Sequence, residues 1–185
     1  FNIYLNLKKK VVKSNQFIFV SILIITTAFS NIFLADVPNF SPIASVALFS
    51  GFYFSNKKIA LIIPVVCMFI SDYFIGFHSY MWAVYLSFVL IAILGVYMKK
   101  AQPKNIILNA LLSSILFFLI TNSAVWISGS YYTKDLPGLA LCLTMGVPFF
   151  KYTLISSAVF STILFGGLEI INKMSSKFFS ITKES

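Results

Sequence analysis

Four polar side chains stand out in this apolar chain, because each lies near the end of a hydrophobic stretch and each can hold a small molecule. They are Asn39, Asp72, His78 and Asn122. Amides and imidazoles donate and accept hydrogen bonds, and a carboxylate supplies acceptor oxygens and a negative charge. The set therefore predicts a binding site for an organic ligand.

Asp72 is the most informative of the four. An ionisable group within or at the edge of a membrane span is costly and usually faces a cavity or a partner. Asp72 is then either an anchor for a ligand, a partner for His78, or a helix-end carboxylate that stays in water. His78 follows Gly76-Phe77, so it lies at a turn and is equally compatible with an interfacial histidine.

Other chemistries find little support in the sequence. We see no nucleophile with a neighbouring base, no phosphate-binding loop and no metal-binding set, so we expect no catalytic residue, no cofactor and no enzyme activity. His78 has no second histidine or cysteine at ligand spacing, which argues against a metal site. Cys67 and Cys142 both lie in apolar stretches, where free cysteine packs like a small hydrophobic residue.

The composition defines the class of protein. The chain has 185 residues, of which 59% are hydrophobic and 10% are charged, and its mean hydropathy is +0.92. A soluble domain needs roughly 25% charged residues, so we predict an integral membrane protein. The net charge of +9 comes from lysines beside apolar stretches, which favours orientation in an anionic bilayer over nucleic-acid binding.

Six hydrophobic stretches approach the roughly 20 residues that a helix needs to cross a bilayer. They cover residues 17–35, 41–55, 59–75, 80–98, 105–126 and 149–171. The first is preceded by lysines, as in a signal peptide, but it is long enough to be a retained span. We therefore predict an all-α membrane protein with a six-transmembrane-helix bundle.

Twelve of the fourteen lysines fall in four clusters beside these spans: Lys8, Lys9, Lys10 and Lys13; Lys57 and Lys58; Lys99, Lys100 and Lys104; Lys173, Lys177 and Lys183. Six spans place every cluster on the same side, and excess lysine marks the cytoplasmic face. Both termini are then cytoplasmic. The predicted division is a basic segment at 1–16, one membrane domain at 17–172 and a basic tail at 173–185.

The lysine clusters also give a measure of depth. Counted along ideal helices, Asp72 lies about 21 Å from Lys58, Asn122 and Asn39 about 27 Å from their nearest cluster, and His78 about 31 Å from Lys99. All four polar residues thus reach one outer layer. We predict that they form one site there.

Aromatic residues gather in the same layer. Trp82 and Tyr85 share one helix face, Asn122 and Trp126 share another, and Tyr131 follows in the next loop. Tryptophan and tyrosine commonly form belts at both membrane interfaces. Because the aromatic belt is concentrated on the lysine-poor side, we expect some of these rings to line the pocket instead.

Prolines and two isolated lysines raise further expectations. We expect Ser41 to cap the second helix with Pro42 in its first turn, and Pro64 to kink the third span, with neighbours satisfying the freed carbonyl. The segment 146–148, Gly-Val-Pro, should separate a short outer helix at 139–145 from the sixth span. Lys134 and Lys151 either snorkel to the interface or pair with Asp135 or an anionic substrate.

Several motifs together resemble a bacterial family of small six-span membrane proteins. They are Pro38-Asn39-Phe40-Ser41-Pro42, Ala47-Leu48-Phe49-Ser50-Gly51, Ser71-Asp72 with Gly76-Phe77-His78, Thr121-Asn122 with Trp126, and Gly138-Leu139 with Pro148-Phe149-Phe150. That family in turn resembles the S components of energy-coupling-factor vitamin transporters. The resemblance covers about residues 35–167.

The resemblance implies an S-component-like fold in the bacterial inner membrane, with a pocket for a vitamin-like molecule near the outer face. The loop at 36–41 would close this pocket. It also implies a coupling subunit with ATPases, yet the cytoplasmic half of the first span, residues 17–25, offers only Ser21 as a small residue for close helix docking. Ala47 and Gly51 form a small pair on the second span instead, which either docks a partner or packs within the bundle. Another membrane complex is therefore an alternative partner. The competing hypothesis for function is a non-catalytic membrane scaffold or accessory subunit.

Overall fold

The structure is a computed structural model that describes the backbone of residues 2–184 and the side chains of residues 18–170. Within those residues it is all-helical, as the sequence predicts. The helices are α1 (Asn2–Phe33), α2 (Ile43–Tyr53), α3 (Lys57–Ile75), α4 (Met81–Tyr97), α5 (Pro103–Ser128) and α6 (Leu136–Glu184). The terminal lysine clusters and the segments predicted at 1–16 and 173–185 lie outside the described side chains.

Three helical segments are long and apolar enough to cross a membrane, which indicates a membrane protein. They are Lys57–Ile75, Pro103–Ser128 and Leu136–Ile170. The apolar segments Ile18–Phe33, Ile43–Tyr53 and Met81–Tyr97 are shorter. The six helices coincide with the six hydrophobic stretches in order, and the number of complete crossings stays a prediction.

Helix α2 lies at the centre of the bundle. It contacts each of the other five helices, and every residue from Ile43 to Gly51 is buried. A helix that is apolar all round is expected to be enclosed by protein in this way. Around it, α1, α3, α4, α5 and α6 contact one another in that order.

Two glycines allow α2 and α4 to approach closely. A Cβ atom on Gly51 would lie 1.9 Å from the carbonyl oxygen of Ala92, and one on Gly95 would lie 2.1 Å from the carbonyl oxygen of Leu48. The small pair Ala47 and Gly51 therefore serves packing inside the bundle. It does not form an outward surface for docking another subunit.

Pro64 lies inside α3, and its missing N–H leaves the carbonyl of Ala60 without its helical donor. The hydroxyl of Ser50 on α2 donates to that carbonyl oxygen at 2.8 Å. A neighbouring helix thus satisfies the freed group, as the sequence analysis expects. Pro64 and Ser50 are both buried, so no water is needed there.

Helix α6 departs from the prediction. Gly146 and Pro148 do not divide the chain, because α6 runs without a break from Leu136 to Glu184. The separate outer helix expected at 139–145 is therefore the first part of α6. Gly146 is buried against α5, so this glycine permits close helix packing instead of a turn.

Buried serines connect α2, α5 and α6 below the lysine-poor end. The hydroxyl of Ser161 lies 3.1 Å from that of Ser45, which donates to the carbonyl of Ser157 at 3.2 Å. The hydroxyls of Ser114 and Ser157 lie 3.0 Å apart. Such bonds hold helices together where lipid offers no hydrophobic gain for helix association.

Candidate functional site

A cavity of about 460 Å³ lies above the beginning of α2. It is at the end of α3, α4 and α5 that is opposite to Lys57, Lys58, Lys99, Lys100 and Lys104. All six helices contribute to its walls, and the α1–α2 loop (residues 34–42) covers it. Because α2 has only 11 residues, it leaves room in this half of the bundle.

The four polar residues singled out in the sequence all line this cavity: Asn39, Asp72, His78 and Asn122. They come from the α1–α2 loop, α3, the segment after α3, and α5. The four residues that the helix-rise estimate assigns to one layer thus line one cavity. Whether they bind a ligand stays a prediction.

Helix α4 supplies a hydrogen-bond donor that fixes the side chain of Asp72. Only 2% of the residue is exposed, and its Oδ2 accepts a hydrogen bond from the Tyr85 hydroxyl at 2.7 Å. His78 lies within electrostatic reach of the carboxylate. Tyr85 is thus a support for Asp72 and does not itself line the cavity.

His78 reaches the cavity because the chain turns sharply after α3. Gly76 has φ 116°, a conformation that residues with a side chain rarely adopt. The amide of Tyr80 donates to Nδ1 of His78 at 3.3 Å, which fixes the ring at the entrance to α4. Nε2 is the nitrogen left for other contacts.

The α1–α2 loop is ordered by contacts to α1 and α6. The hydroxyl of Ser41 donates to Oδ1 of Asn31 at 2.6 Å and accepts from the amide of Ile43 at 3.2 Å. Ser41 thus bonds to the first amide of α2, but the expected cap is one residue out of register: Pro42 is at the N-cap position without a side-chain cap, and the helix begins at Ile43. The rings of Phe40 and Phe160 lie 5.8 Å apart, which joins the loop to α6.

Asn39 has φ 60° in this loop. Asparagine is one of the few residues with a side chain that tolerate the left-handed region. The conformation lets the loop turn over the cavity while Asn39 remains on its wall.

Asn122 is fixed between two helices. Its Nδ2 donates to the carbonyl of Phe118 at 2.8 Å, which leaves Oδ1 as the free acceptor. A Cβ on Gly146 would lie 2.4 Å from that Oδ1, and the Cys142 thiol donates to the Asn122 carbonyl at 3.4 Å. Glycine at position 146 therefore makes room for the Asn122 side chain.

Like Tyr85, the three other predicted aromatic residues do not line the cavity. Trp82 is 51% exposed and Tyr131 is 82% exposed. The indole N–H of Trp126 donates to the carbonyl of Thr133 at 2.8 Å, so this ring secures the α5–α6 loop. The spacing of residues along a helix predicts which of them share a face. It does not predict which face points into the bundle.

The two lysines near this end are also outside the cavity. Lys134 donates to the carbonyl oxygens of Trp126 and Gly129, so it caps the end of α5. Lys151 is exposed and lies 4.9 Å from the ring centre of Tyr152. Neither lysine lines the cavity, so neither is placed to meet an anionic substrate.

Asp135 immediately precedes α6 and is likewise separate from the cavity. Its Oδ1 accepts from the Thr133 hydroxyl and from the Gly138 amide, each at 2.7 Å. These hydrogen bonds hold the pKa of Asp135 below its usual range. It is therefore an ionised helix cap at neutral pH, and it forms no part of the site.

The cavity has further polar residues that the sequence analysis missed. They are Asn31, Ser41, Tyr80, Thr121, Thr153 and Ser156. Asn31 carried a usable signal, because an amide inside an apolar span usually faces protein. The serines and threonines gave no such signal, because their hydroxyls can also donate to the carbonyl four residues earlier in the same helix.

The apolar part of the wall includes the rings of Phe40, Phe88 and Phe117. Phe88 and Phe117 are stacked, with ring centres 5.4 Å apart and planes at 22°. No group of three or more metal-binding side chains occurs within the described side chains. The site is thus an apolar and aromatic cavity with a few convergent polar groups, the composition typical of small-molecule sites.

A protein-family model matches residues 12–179 of the chain, and it is described as a family of unknown function (DUF6580). Comparisons with curated proteins and with solved structures gave no match.

Proposed function

Because the chain belongs to the DUF6580 family of unknown function, we propose its role from the site itself: it is an integral membrane subunit that binds a small molecule at its lysine-poor end, for uptake. The observation that carries the proposal is the cavity of about 460 Å³ whose wall includes Asn39, Asp72, His78 and Asn122. Ligand pockets in proteins typically measure about 300–1,000 Å³. The cavity therefore has the volume for a vitamin-sized molecule.

The interactions around these residues support a binding site over a packing defect. Tyr85 holds Asp72, Tyr80 holds His78, and Phe118 holds Asn122. Each polar group is fixed by one partner and still lines open space. Preorganised side chains of this kind lower the entropic cost of binding.

The proposed setting is the bacterial inner membrane, with six crossings and both termini in the cytoplasm. The lysine distribution supports this orientation. Helix α2 alone spans only about 16 Å, but it is enclosed by five helices, so its crossing is completed by the α1–α2 loop. Irregular backbone at membrane depth is tolerated where it borders protein or a cavity.

The proposed mode of action resembles that of a transporter S component, in which the membrane subunit supplies the binding site and a partner supplies energy. The placement of the cavity at the lysine-poor end supports uptake from outside. The burial of Gly51 against α4 removes the small pair on α2 as a docking surface. The partner, a coupling subunit with ATPases or another membrane complex, must therefore use a different surface.

The test is mass spectrometry of small molecules extracted from the purified protein. We expect one compound to accompany the wild type and to be depleted in Asp72→Ala and Asn122→Ala. Asn109→Ala is the matched control, because Asn109 also donates Nδ2 to the carbonyl four residues earlier, at 2.8 Å, but lies outside the cavity. Asp135→Asn serves the same purpose for the carboxylate, because Asp135 lies outside the cavity and asparagine can still cap a helix.

Equal content of every compound in the wild type and the two cavity variants would contradict the proposal. If the protein instead retained no small molecule and purified in fixed ratio with a larger membrane complex, the scaffold role would replace it.

A further inference from the structure

The charges around the cavity identify the kind of molecule that it would take. Asp72 lines the cavity and is almost fully buried. Among the described side chains, no lysine or arginine shares the wall with it. The lysines near this end are engaged elsewhere, Lys134 on the end of α5 and Lys151 beside Tyr152.

A buried carboxylate is costly unless a positive partner and hydrogen-bond donors compensate it. Tyr85 supplies one donor to Oδ2. The nearby His78 accepts a hydrogen bond at Nδ1 from the amide of Tyr80, so that nitrogen carries no proton in this arrangement. Asp72 is then the one full charge of the described cavity wall, without a lysine or arginine to balance it.

Helix dipoles do not reverse the negative electrostatic potential that Asp72 creates in the cavity. The beginnings of α2 and α4 reach the cavity at Ala44 and Tyr80, and the ends of α1 and α3 reach it at Leu34 and Gly76. Each beginning contributes about half a positive charge and each end about half a negative charge. These contributions oppose each other, so the carboxylate determines the potential.

The rest of the wall suits a positive ligand with a flat apolar part. The rings of Phe40, Phe88 and Phe117 line the cavity, and aromatic faces attract organic cations most strongly where water is excluded. Asn122 presents a free Oδ1 because its Nδ2 is bonded to Phe118. That oxygen can accept a hydrogen bond from an ammonium or ring N–H group.

We propose that the cavity selects a small organic cation, a protonated amine or quaternary ammonium carried on a flat ring, with Asp72 as its charge partner. The inference rests on the proposed function, that the cavity binds a small molecule, and it assigns the substrate class. Anions of equal size are excluded, since they would meet Asp72 without a compensating lysine or arginine.

Three indole compounds of similar size test the sign of the charge. Tryptamine is a cation, tryptophol is neutral and indole-3-acetate is an anion, and each is small enough for a cavity of about 460 Å³. Binding is measured by isothermal titration calorimetry on the detergent-purified full chain at pH 8. We expect tryptamine to bind at least about tenfold more tightly than tryptophol, and indole-3-acetate to bind most weakly.

Variants then assign the charge preference to one residue. Asp72→Asn should weaken the binding of tryptamine by about tenfold or more and change the affinity for tryptophol by no more than about twofold. Asp72→Glu should retain the preference, and Asp135→Asn is the control at an exposed carboxylate outside the cavity. The comparison of the three compounds on the wild type does not depend on the folding of any variant.

Three results would overturn the inference: indole-3-acetate binding as tightly as tryptamine, a preference for tryptamine that survives in folded Asp72→Asn, or no binding of any compound at millimolar concentration. If the compound extracted from the wild type proves neutral or anionic and is lost in Asn122→Ala, the proposed function stands and the charge assignment fails. If the wild type carries and binds nothing, both fail.

Discussion

The hydroxyl of Tyr85 on α4 donates a 2.7 Å hydrogen bond to Oδ2 of Asp72 on α3. This bond joins two helices at the cavity and fixes the only acidic side chain on its described wall. The sequence placed Tyr85 among the pocket rings, but the structure gives it a different task. It holds Asp72 in position and leaves the cavity itself to other side chains.

Tyr85→Phe should therefore weaken the site while the fold persists. We expect the free energy of unfolding to fall by about 1–3 kcal/mol, because a buried carboxylate loses a donor. Thermal denaturation in detergent measures this change, and extraction of bound compound measures the site. Tyr97→Phe is the matched control, since Tyr97 ends the same helix and is 77% exposed. Equal effects of the two substitutions would contradict the role of Tyr85.

Gly51→Ala should destabilise the bundle by about 3 kcal/mol or more, at the upper end of overpacking effects. The new methyl group would lie 1.9 Å from the backbone oxygen of Ala92, and α2 and α4 would have to separate. Gly166→Ala is the control, because no atom lies within 4 Å of the added carbon. There we expect no loss and a gain of up to about 1 kcal/mol. A Gly51→Ala protein that unfolds at the wild-type temperature would contradict the packing.

Ser50 and Pro64 should behave as a coupled pair. Ser50→Ala leaves the Ala60 carbonyl unsatisfied, with an expected cost of about 1–3 kcal/mol. In a Pro64→Ala background the new N–H can donate to that carbonyl, so the same Ser50 substitution should cost clearly less. A double-mutant cycle of unfolding temperatures measures the difference. Identical costs in both backgrounds would show that the two residues act independently.

Labelling with an impermeant thiol reagent tests the proposed orientation in cells. Cys67 and Cys142 are buried and can be replaced by alanine. In that background, Ser130→Cys in the α5–α6 loop should be labelled from outside, whereas Ser55→Cys between α2 and α3 should be labelled only after the membrane is opened. Both serines are exposed. Labelling of Ser55→Cys in intact cells would contradict the cytoplasmic location of the lysine-rich end.

Helix rise alone was enough to group the four polar residues that line one cavity. Helices rise by a constant distance per residue, so counting from the lysines located Asn39, Asp72, His78 and Asn122 without any knowledge of packing. The same regularity located six helices. The need for a donor to the Ala60 carbonyl near Pro64 followed from an equally local rule.

The sequence could not predict how each helix is rotated about its own axis. Trp82 and Trp126 lie in the right layer but outside the cavity wall, because the inward face of a helix depends on its neighbours. In a membrane, apolar faces meet lipid and protein alike, so hydrophobic periodicity loses its meaning. Gly146 failed as a break for a related reason: it provides space for Asn122, a function that no local signal reveals.

The occupant of the cavity is the central claim, and an experimental structure of protein purified directly from its own membrane tests it most directly. We predict density for a compact organic molecule in contact with Asp72, Asn122 and the ring of Phe117. Asp72→Ala, prepared in the same way, should lack it. A cavity that holds only water, or a lipid chain entering from the bilayer, would contradict the account.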